Sequence, residues 1–466
     1  MSYSAVNADD LTGLAAATCD AIQSNNLDTI IVGGSDINGI FRGKRLPAER
    51  FIANPYEPVR FADYFIALDP SQHLIPPPPD FDGWWPDWSR GFGDIEAVPD
   101  LSTFRVAAWL PRTGVVLCDY RHIGGAPLVH TPRQVLRRVL EIAEQLGVVA
   151  KMGPELEFYL LRDDPADSRT RNSAEVRSML PNSSVYGVLR GTLDEPVLQP
   201  LRHHLERSRI SVDRCEPEGG PGQWEINLRY DDALEAADRA FLFKQALKEF
   251  SASKQLSVTF MAKPFSGEFG SSFHVHQSIW SILGDPLFLE TSAPGGLSKA
   301  ALHYIGGALD TLADFTCLFA PTVNSYKRLT PYSAAGTTAT WGHENRTAGI
   351  RSVMGVEGLP RIELRTPGAD ANPYLVLAGA LAGGLHGMKE EILPPGETRG
   401  DAYESRRHVL PHTLETAADA FAESAVAKEY FGEEFVRYFS HTRKWEARQF
   451  YSSVTDWEIG RYLNAG

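Results

Sequence analysis

Four short segments of the sequence alternate apolar side chains with carboxylate, imidazole or guanidinium side chains. They are KMGPELEFYLL at 151–161, GQWEINLRY at 222–230, FHVHQSIW at 273–280 and RIELRTP at 361–367. Successive side chains of a β-strand point to opposite faces, so the alternation predicts four strands, each with one apolar and one polar face. The polar faces carry Glu155, Glu157, Gln223, Glu225, Asn227, His274, His276, Ser278, Arg361, Glu363 and Arg365.

A single strand of this kind usually turns its polar face to water, and this alternative stays open for each strand taken alone. Together, however, the four faces repeat Glu, His and Arg instead of the Lys, Ser and Thr of a wet sheet. Carboxylates two residues apart on one strand repel each other unless a cation lies between them. Mg²⁺ and Mn²⁺ prefer oxygen ligands with an occasional imidazole, and arginines grip phosphate bidentately. The pattern therefore predicts metal-assisted phosphoryl transfer.

Composition excludes several classes of protein. The 466 residues are 43% apolar and 22% charged, an ordinary globular balance, and the net charge of −14 argues against nucleic acid or an anionic membrane as a partner. The four cysteines are scattered, so neither a disulfide framework nor a zinc knuckle is expected. No secretory signal is evident, and the longest apolar run, 374–385, is too short to cross a bilayer. We expect a cytoplasmic protein without a membrane span.

The order of predicted elements places a domain boundary near residue 125. Before it we expect a helix over 8–24, a hairpin around Asn38-Gly39, and a long, tryptophan-containing loop over 69–100. After it, Thr131 and Pro132 begin a helix that Gly147 ends, and a second long helix runs over about 231–255. The last 55 residues are expected to form two charged helices. No nucleotide-binding loop of the common glycine-rich types is present.

Seven motifs in order resemble the glutamine synthetase family, type I. They are PELEFYL at 154–160, EGGPGQWEI at 218–226, FMAKP at 260–264, GSSFHVHQS at 270–278, PTVNSYKRL at 321–329, NRTAGIR at 345–351 and RIELRTPGADANPYL at 361–375. The resemblance implies an α+β fold, with an N-terminal β-grasp domain over 1–125 and a catalytic domain over 126–466 whose antiparallel sheet forms a funnel-shaped active site. It also implies a homo-oligomer, a dodecamer with active sites at subunit interfaces.

The same resemblance assigns residues to roles in an ATP-dependent ligation of glutamate. Two or more divalent cations, Mg²⁺ or Mn²⁺, would be held by Glu157, Glu218 and Glu225 and by Glu155, His274 and Glu363. The nucleotide would lie along His276, Ser278 and Arg361, and its phosphates would meet Arg346 and Arg351. Glutamate and the transferred phosphoryl group would be fixed by Arg328, Arg365 and the backbone of Gly270. Arg346, Arg328 and Arg365 are the expected catalytic arginines.

Two departures from the family pattern concern the acceptor. The Asp-Gly-Ser-Ser motif that helps to bind ammonium is replaced by Asp82-Gly83-Trp84-Trp85, and the flap after the Lys-Arg-Leu motif has Ser333 at or next to the position of its glutamate. Without the two serines of the motif and the glutamate of the flap, ammonium should bind less well and more space should be open. These departures predict an organic amine as the acceptor, with Asp82, Ser333 and Trp84 in its site. A tryptophan face can bind alkylammonium through a cation–π contact worth roughly 0.5–2 kcal/mol. The base that deprotonates the amine is left open among Asp82, Asp87, Asp94 and Glu344.

The sequence thus resembles the branch of the family that makes γ-glutamylpolyamines or γ-glutamylethanolamide. We expect a ligase acting on glutamate and a polyamine, ethanolamine or another monoamine through γ-glutamyl phosphate. The alternatives are a true glutamine synthetase that uses ammonia and, from another class, a non-catalytic synthetase-like structural or regulatory protein. All six expected metal ligands are present, which argues against the latter.

Overall fold

The computed structural model of the protein describes residues 8–79, 81–162, 184–355, 358–405 and 409–465. The N-terminal part forms one mixed sheet with the strand order β2-β1-β6-β4-β3, and β5 also pairs with β6. The strands are β1 Thr29–Ser35, β2 Phe41–Pro47, β3 Val59–Ala62, β4 Asp94–Pro99, β5 Arg105–Val106 and β6 Thr113–His122. Helices α1 (Ala8–Ser24) and α2 (Ala48–Ala53) accompany this sheet.

The expected hairpin is confirmed, because β1 and β2 are antiparallel with Ser35 opposite Phe41. The Asp36 carboxylate closes the turn by accepting hydrogen bonds from the backbone N–H groups of Asn38 and Ile40, both at 2.9 Å. The loop expected over 69–100 ends earlier, because β4 begins at Asp94. In the described part of this loop, Trp85 is buried and donates its indole N–H to the Ile75 carbonyl at 3.0 Å. The name β-grasp for this region stays a prediction.

A second sheet carries the four predicted strands. Its order is β13-β14-β15-β12-β7-β9-β8, and β10 and β11 also pair with the long strand β7. The strands are β7 Val148–Leu161, β8 Val212–Pro217, β9 Gln223–Leu228, β10 Asp231–Asp232, β11 Ser257–Thr259, β12 Phe273–Ser281, β13 Trp341–His343, β14 Ile350–Met354 and β15 Pro360–Leu364. All of its pairings except β13 with β14 are antiparallel.

The helices of this part of the chain are α3 Pro132–Gln145, α4 Val188–Arg207, α5 Ala233–Ser253, α6 Lys299–Asp310, α7 Thr316–Phe319, α8 Ser325–Arg328, α9 Pro373–Lys389, α10 Leu414–Glu423, α11 Ala425–Phe431, α12 Glu433–Ser452 and α13 Asp456–Tyr462. Of these, α3 and α5 pack against β7, and α4 packs against β8. The apolar run at 374–385 is α9, which is buried almost throughout and packs against α3, α5 and α6. Asn372 caps it by accepting from the Tyr374 N–H at 3.1 Å.

The expectation of two C-terminal helices is wrong, because the described part of the last 55 residues forms α10, α11, α12 and α13. Ser424 ends α10 and caps α11 through its hydroxyl, which accepts from the Ala427 N–H at 3.2 Å. Gly432, with φ +87°, separates α11 from α12. Thr455 and Glu458 form a capping box that begins α13. The sequence of this region is charged throughout, so its periodicity does not show where one helix ends and the next begins. The prediction therefore joined separate helices.

The described helices do not include one with the length and apolarity needed to span a membrane. The four cysteines are free thiols. The chain passes from the first sheet to the second through α3, between His122 and Val148. The boundary near 125 falls in this connection, and the division into domains at 1–125 and 126–466 stays a prediction.

Candidate active site

Strand register brings the predicted carboxylates and imidazoles together. On β7, Glu155 lies opposite His274 of β12, and Glu157 lies opposite Glu225 of β9. His276 of β12 lies opposite Glu363 of β15. The central strands therefore place these groups on one polar face.

The ligand atoms form two overlapping groups. Those of Glu155, His274 and Glu363 lie within 4.8 Å of one another, and so do those of Glu157, Glu225 and His274. All five residues are buried. Glu218, the sixth predicted ligand, follows β8 and lies outside both groups, although its charge helps to raise the pKa of Glu157.

The carboxylates divide into two electrostatic environments. Burial, followed by the charge of Glu218, raises the pKa of Glu157 to about 7. Burial and the charges of Glu155 and Glu157 raise the pKa of Glu225 to about 11. Burial also raises the pKa of Glu218. Too little positive charge lies near Glu157, Glu218 and Glu225 for all three carboxylates to be ionised at the same time.

Glu155 and Glu363 are in the opposite situation. Burial acts to raise the pKa of Glu155, but hydrogen bonds with His274 and His276 outweigh it and hold the pKa well below its usual value. Burial likewise opposes ionisation of Glu363, but the charges of Arg365 and His274 lower its pKa to about 2. These two carboxylates are ionised and oriented by neighbouring side chains.

The donor set fits divalent cations. The Nδ1 atom of His274 lies 2.8 Å from Glu155 Oε1, whereas its Nε2 atom is buried and has no hydrogen-bond partner among the described residues. An imidazole held at one nitrogen with the other free is the usual arrangement of a metal ligand. A bound cation would also relieve the repulsion among Glu157, Glu218 and Glu225. Oxygen donors with one nitrogen match Mg²⁺ or Mn²⁺.

Arginines surround the acidic groups. Arg351 donates to Glu363 Oε2 at 3.0 Å and also pairs with Glu344, while Arg365 pairs with the other oxygen of Glu363. Arg361 donates from Nε to His276 Nδ1 at 3.2 Å. The exposed Arg346 lines a neighbouring cleft of about 790 Å³.

Arg328 and Gly270 lie together below this surface. Arg328 is 1% exposed, and it donates to the Thr366 carbonyl and to Ser272 Oγ, both at 2.8 Å. Burial lowers the pKa of Arg328 to about 10. The Gly270 carbonyl accepts from Gln223 Nε2 at 2.9 Å. Ser278, further along β12, accepts from the Trp280 indole at 3.0 Å.

The predicted acceptor residues are not brought together within the chain. Ser333 lies beside the arginines and donates its hydroxyl to the Arg328 carbonyl at 2.7 Å. Asp82 is instead paired with Arg437 of α12 at 2.5 Å, which lowers the pKa of its carboxyl. The Trp84 ring packs against His122 and His130, each with a centroid distance of 5.3 Å.

Sequence reasoning missed several residues that shape the site. Gln223 donates to Glu157 Oε2 at 3.0 Å, and Asn227 donates to Glu155 Oε2. Both share the polar face of β9 with Glu225, so the alternation contained the signal that could have assigned them. Arg214 of β8 donates to Glu155 Oε2 at 3.3 Å, and its strand carries no comparable pattern. Tyr186 precedes α4 and is 66% exposed; partial desolvation, followed by the charges of Glu218 and Glu225, raises its pKa.

The chain is similar to one protein family, to curated relatives and to solved structures over most of its length. A family model described as "Glutamine synthetase, catalytic domain" matches residues 129–462. The chain is 36% identical to a glutamate–isopropylamine ligase of a Pseudomonas species over 96% of this chain and 97% of the relative. It is 35% identical to the γ-glutamylethanolamide synthetase GlnA4 of Streptomyces coelicolor over 94% of this chain and 93% of the relative. A solved structure of apo GmaS superposes with a TM-score of 0.81 at 29% identity, covering 96% of this chain and 99% of that one.

Proposed function

The chain belongs to the glutamine synthetase family, and from this premise we propose that it is an ATP-dependent ligase joining the γ-carboxylate of glutamate to an organic amine. The observation that carries the proposal is the convergence of Glu155, Glu157, Glu225, His274 and Glu363 on one sheet face, next to arginines. The names of the two relatives, which act on isopropylamine and ethanolamine, support an organic acceptor.

The proposed reaction has two steps. The γ-carboxylate of glutamate attacks the terminal phosphorus of ATP, and ADP leaves. The amine nitrogen then attacks the acyl carbon of γ-glutamyl phosphate, so that a C–N bond forms, the C–O bond to phosphate breaks, and the nitrogen loses a proton to a base or to water. Positioning and charge neutralisation account for most of the catalysis of phosphoryl transfer.

The side chains divide this work. Arg328, Arg365 and the Gly270 backbone fix glutamate. Arg346 and Arg351 neutralise the phosphates, and the nucleotide lies along His276, Ser278 and Arg361. Divalent cations, held by Glu157, Glu218 and Glu225 and by Glu155, His274 and Glu363, would supply further positive charge next to the phosphate oxygens.

Local structure near the acceptor favours an amine larger than ammonium. Ser333 uses its hydroxyl for hydrogen bonds to the Arg328 and Thr330 carbonyls, and the neighbouring Ala334 carries no charge. Asp82, the remnant of the ammonium motif, is neutralised by Arg437. A small cation would find less negative charge here than the family pattern provides.

A phosphate-release assay with an amine panel tests the proposal. Full-length protein, ATP, glutamate and Mg²⁺ or Mn²⁺ are combined with ammonium, isopropylamine, ethanolamine or putrescine, and the γ-glutamyl product is identified by mass spectrometry. We expect kcat/KM for at least one organic amine to exceed that for ammonium by ten-fold or more. Glu157→Gln should abolish turnover, whereas Glu290→Gln, at an exposed position, should not. Preference for ammonium over every organic amine would contradict the proposed acceptor.

A further inference from the structure

The two arginines assigned to glutamate meet at residues 365–371, which we name the support segment. Arg365 is its first residue. Arg328 donates from Nη1 to the Thr366 carbonyl at 2.8 Å and from Nη2 to the Arg365 carbonyl at 3.2 Å. Its Nη2 also donates to Ser272 Oγ at 2.8 Å, and the residue is 1% exposed. The support segment therefore helps to set the orientation of the Arg328 guanidinium.

The support segment also contacts the loop of Gly270, the third group assigned to glutamate. The Ala369 N–H donates to the Ser271 carbonyl at 3.0 Å. Ser272 and Gly368 form an isolated antiparallel bridge. Because the two arginines and this loop all contact the support segment, their relative positions depend on it.

Asp370, within the support segment, holds the start of the helix that carries Arg328. Its Oδ2 atom accepts hydrogen bonds from Ser325 Oγ at 2.6 Å and from Thr322 Oγ1 at 2.7 Å. Ser325 is the first residue of α8, and Arg328 is the last. The Asp370 carboxylate thus holds one end of α8, and the guanidinium at the other end returns to the same segment.

Lys244 of α5 holds the support segment at the position of Asp370. Its Nζ atom donates to the carbonyls of Ala369 and Ala371, at 2.8 and 3.0 Å, and these two residues flank Asp370. Lys244 is buried, and its Nζ lies 5.1 Å from the centre of the Phe260 ring. The ammonium therefore fixes the backbone on both sides of the carboxylate.

The charges of this buried cluster depend on one another. Burial, followed by the charge of Lys248, lowers the pKa of Lys244 to about 7, whereas the charge of Asp370 acts to raise it. Burial raises the pKa of Asp370, and its two hydrogen bonds, followed by the charges of Lys244 and Arg328, oppose that effect. A buried charge is costly unless a charge of opposite sign lies near it. The Asp370 carboxylate has this effect on both cations.

We propose that Asp370 is a positioning residue, which holds Arg328 in place for glutamate by anchoring α8 to the support segment, and that Lys244 in turn holds Asp370. The inference rests on the proposed function and deepens it, because it names residues on which the glutamate site depends. Asp370 acts through α8 and Arg328, without contact to the substrate. Its loss would release the start of α8 and remove the carboxylate near the two buried cations.

The test compares Asp370→Ala, Asp370→Asn and the wild type as full-length proteins, with the acceptor that the wild type uses best, ammonium included. We expect Asp370→Ala to raise the KM for glutamate at least ten-fold while the KM for ATP stays within two-fold. The asparagine oxygen can accept from the same two hydroxyls, so Asp370→Asn should keep the KM for glutamate within three-fold of the wild type. Asp63→Ala is the matched control and should change neither KM, because Asp63 is another buried aspartate with one oxygen that lacks a hydrogen-bond partner among the described residues.

A second pair of variants tests the contact from α5. Lys244→Met keeps most of the side-chain volume and removes the donor to both carbonyls, so the KM for glutamate should rise at least five-fold. Lys248→Met, one turn further along α5, is the matched control. Its Nζ lies 5.9 Å from the centre of the same Phe260 ring, but its side chain is exposed, and we expect the KM for glutamate to stay unchanged.

The outcomes separate this inference from the proposed function. An unchanged KM for glutamate in Asp370→Ala, or an equal rise of the KM for ATP, overturns the role of Asp370. A rise in Asp370→Asn as large as that in Asp370→Ala overturns the anchoring of α8 by the two hydroxyl groups. Wild-type protein that prefers ammonium overturns the proposed acceptor alone, since the comparison of KM for glutamate is then made with ammonium.

Two further measurements keep the test decisive. If the wild type forms no γ-glutamyl product, the proposed function fails, and the dissociation constant for glutamate from calorimetry replaces KM in the same comparison; wild-type protein that does not bind glutamate overturns both. If Asp370→Ala does not yield folded protein by circular dichroism, the double variant Thr322→Val/Ser325→Ala, which removes the two hydroxyl donors, takes its place with the same result required.

Discussion

Glu155 accepts hydrogen bonds on both carboxylate oxygens. His274 Nδ1 lies 2.8 Å from Oε1, and His276 Nε2 lies 3.2 Å from Oε2, which Asn227 also contacts. Because Arg361 donates to His276 Nδ1, the proton of this imidazole lies on Nε2 and points to Glu155. The carboxylate is therefore oriented in part by His276 and Asn227, which are not among the expected metal ligands.

Replacement of one such partner should weaken metal binding. We expect Asn227→Ala to lower the affinity for Mn²⁺ about ten-fold or more, which is typical for loss of a hydrogen bond that orients a ligand. Isothermal titration calorimetry of the protein without nucleotide measures this directly. Asn54→Ala, at an exposed position, is the control. An unchanged Mn²⁺ affinity in Asn227→Ala would show that Glu155 is not a ligand oriented in this way.

His130 gives a prediction about stability and pH. Its ring packs between Trp84 and Tyr438, and burial lowers its pKa from 6.5 to about 3. The unfolded chain therefore binds a proton that the folded chain does not, and the free energy of unfolding decreases as the pH falls from about 6.5 towards 3, by about 1.4 kcal/mol per pH unit. Nε2 lies 3.4 Å from Glu434 Oε1, but neither ring nitrogen forms a hydrogen bond with a described residue, so phenylalanine should replace the ring without loss of hydrogen bonds.

We expect His130→Phe to be more stable than the wild type by about 2 kcal/mol at pH 5, and by much less at pH 7. Urea unfolding at the two pH values measures the difference. His203→Gln, which changes an exposed histidine, should show no such pH dependence. Equal effects of His130→Phe at both pH values would mean that the wild-type imidazole is not buried in its neutral form.

At the scale of elements, the loop that leads into β12 depends on a glycine, Gly270. A Cβ atom on Gly270 would lie 2.6 Å from the Ala262 carbonyl oxygen and 2.8 Å from Arg328 Cγ, so the loop would have to move. Its carbonyl holds Gln223, which in turn donates to Glu157. We expect Gly270→Ala to reduce kcat/KM for glutamate at least 100-fold while the protein stays folded. Gly191→Ala, where the added Cβ meets only Trp224 at 3.8 Å, should have little effect in the same assay.

The elements also show what the sequence can and cannot predict. Alternation correctly identified the polar faces of β7, β9, β12 and β15, because side-chain direction along a strand is a local property. The register that sets Glu157 opposite Glu225 depends on contacts between distant segments, and alternation alone does not specify it. The pairs Asp82–Arg437 and Tyr332–Tyr403 join residues far apart in the chain and had no sequence signal. Family resemblance supplied the assignments of roles, which stay predictions.

At the scale of the whole molecule, two of the three expected acceptor residues make contacts that are separate from those of the acidic groups within one chain. Asp82 and Trp84 contact α12 and the region of His130, whereas the carboxylates lie on the polar face of the second sheet. Nearby, Trp88 is 82% exposed. The arrangement implied by the family, in which the N-terminal region of one subunit completes the site of its neighbour, would reconcile these positions. The oligomer and its interfaces stay proposals.

The C-terminal helix offers a way to test assembly. On and around α13, Val454, Trp457, Tyr462 and Leu463 are 76%, 62%, 56% and 75% exposed, an apolar surface that favours burial against another subunit. We expect the wild type to have a mass near twelve times 51.4 kDa by size-exclusion chromatography with light scattering. The double variant Trp457→Glu/Leu463→Glu should have a smaller mass, because two buried charges oppose association.

The consequence for activity distinguishes an interface that completes the site from one that only holds subunits together. If Asp82 and Trp84 act on a neighbour's site, the smaller species should retain Mn²⁺ binding, since the acidic groups lie within one chain, but should lose amine turnover. Leu283→Glu, at a leucine that is 86% exposed elsewhere, should alter neither mass nor turnover. A wild-type mass of 51.4 kDa with full turnover would contradict both the assembly and the shared site. A dissociated variant that keeps full turnover would contradict the shared site alone, and Asp82 and Trp84 would then have no role in amine binding.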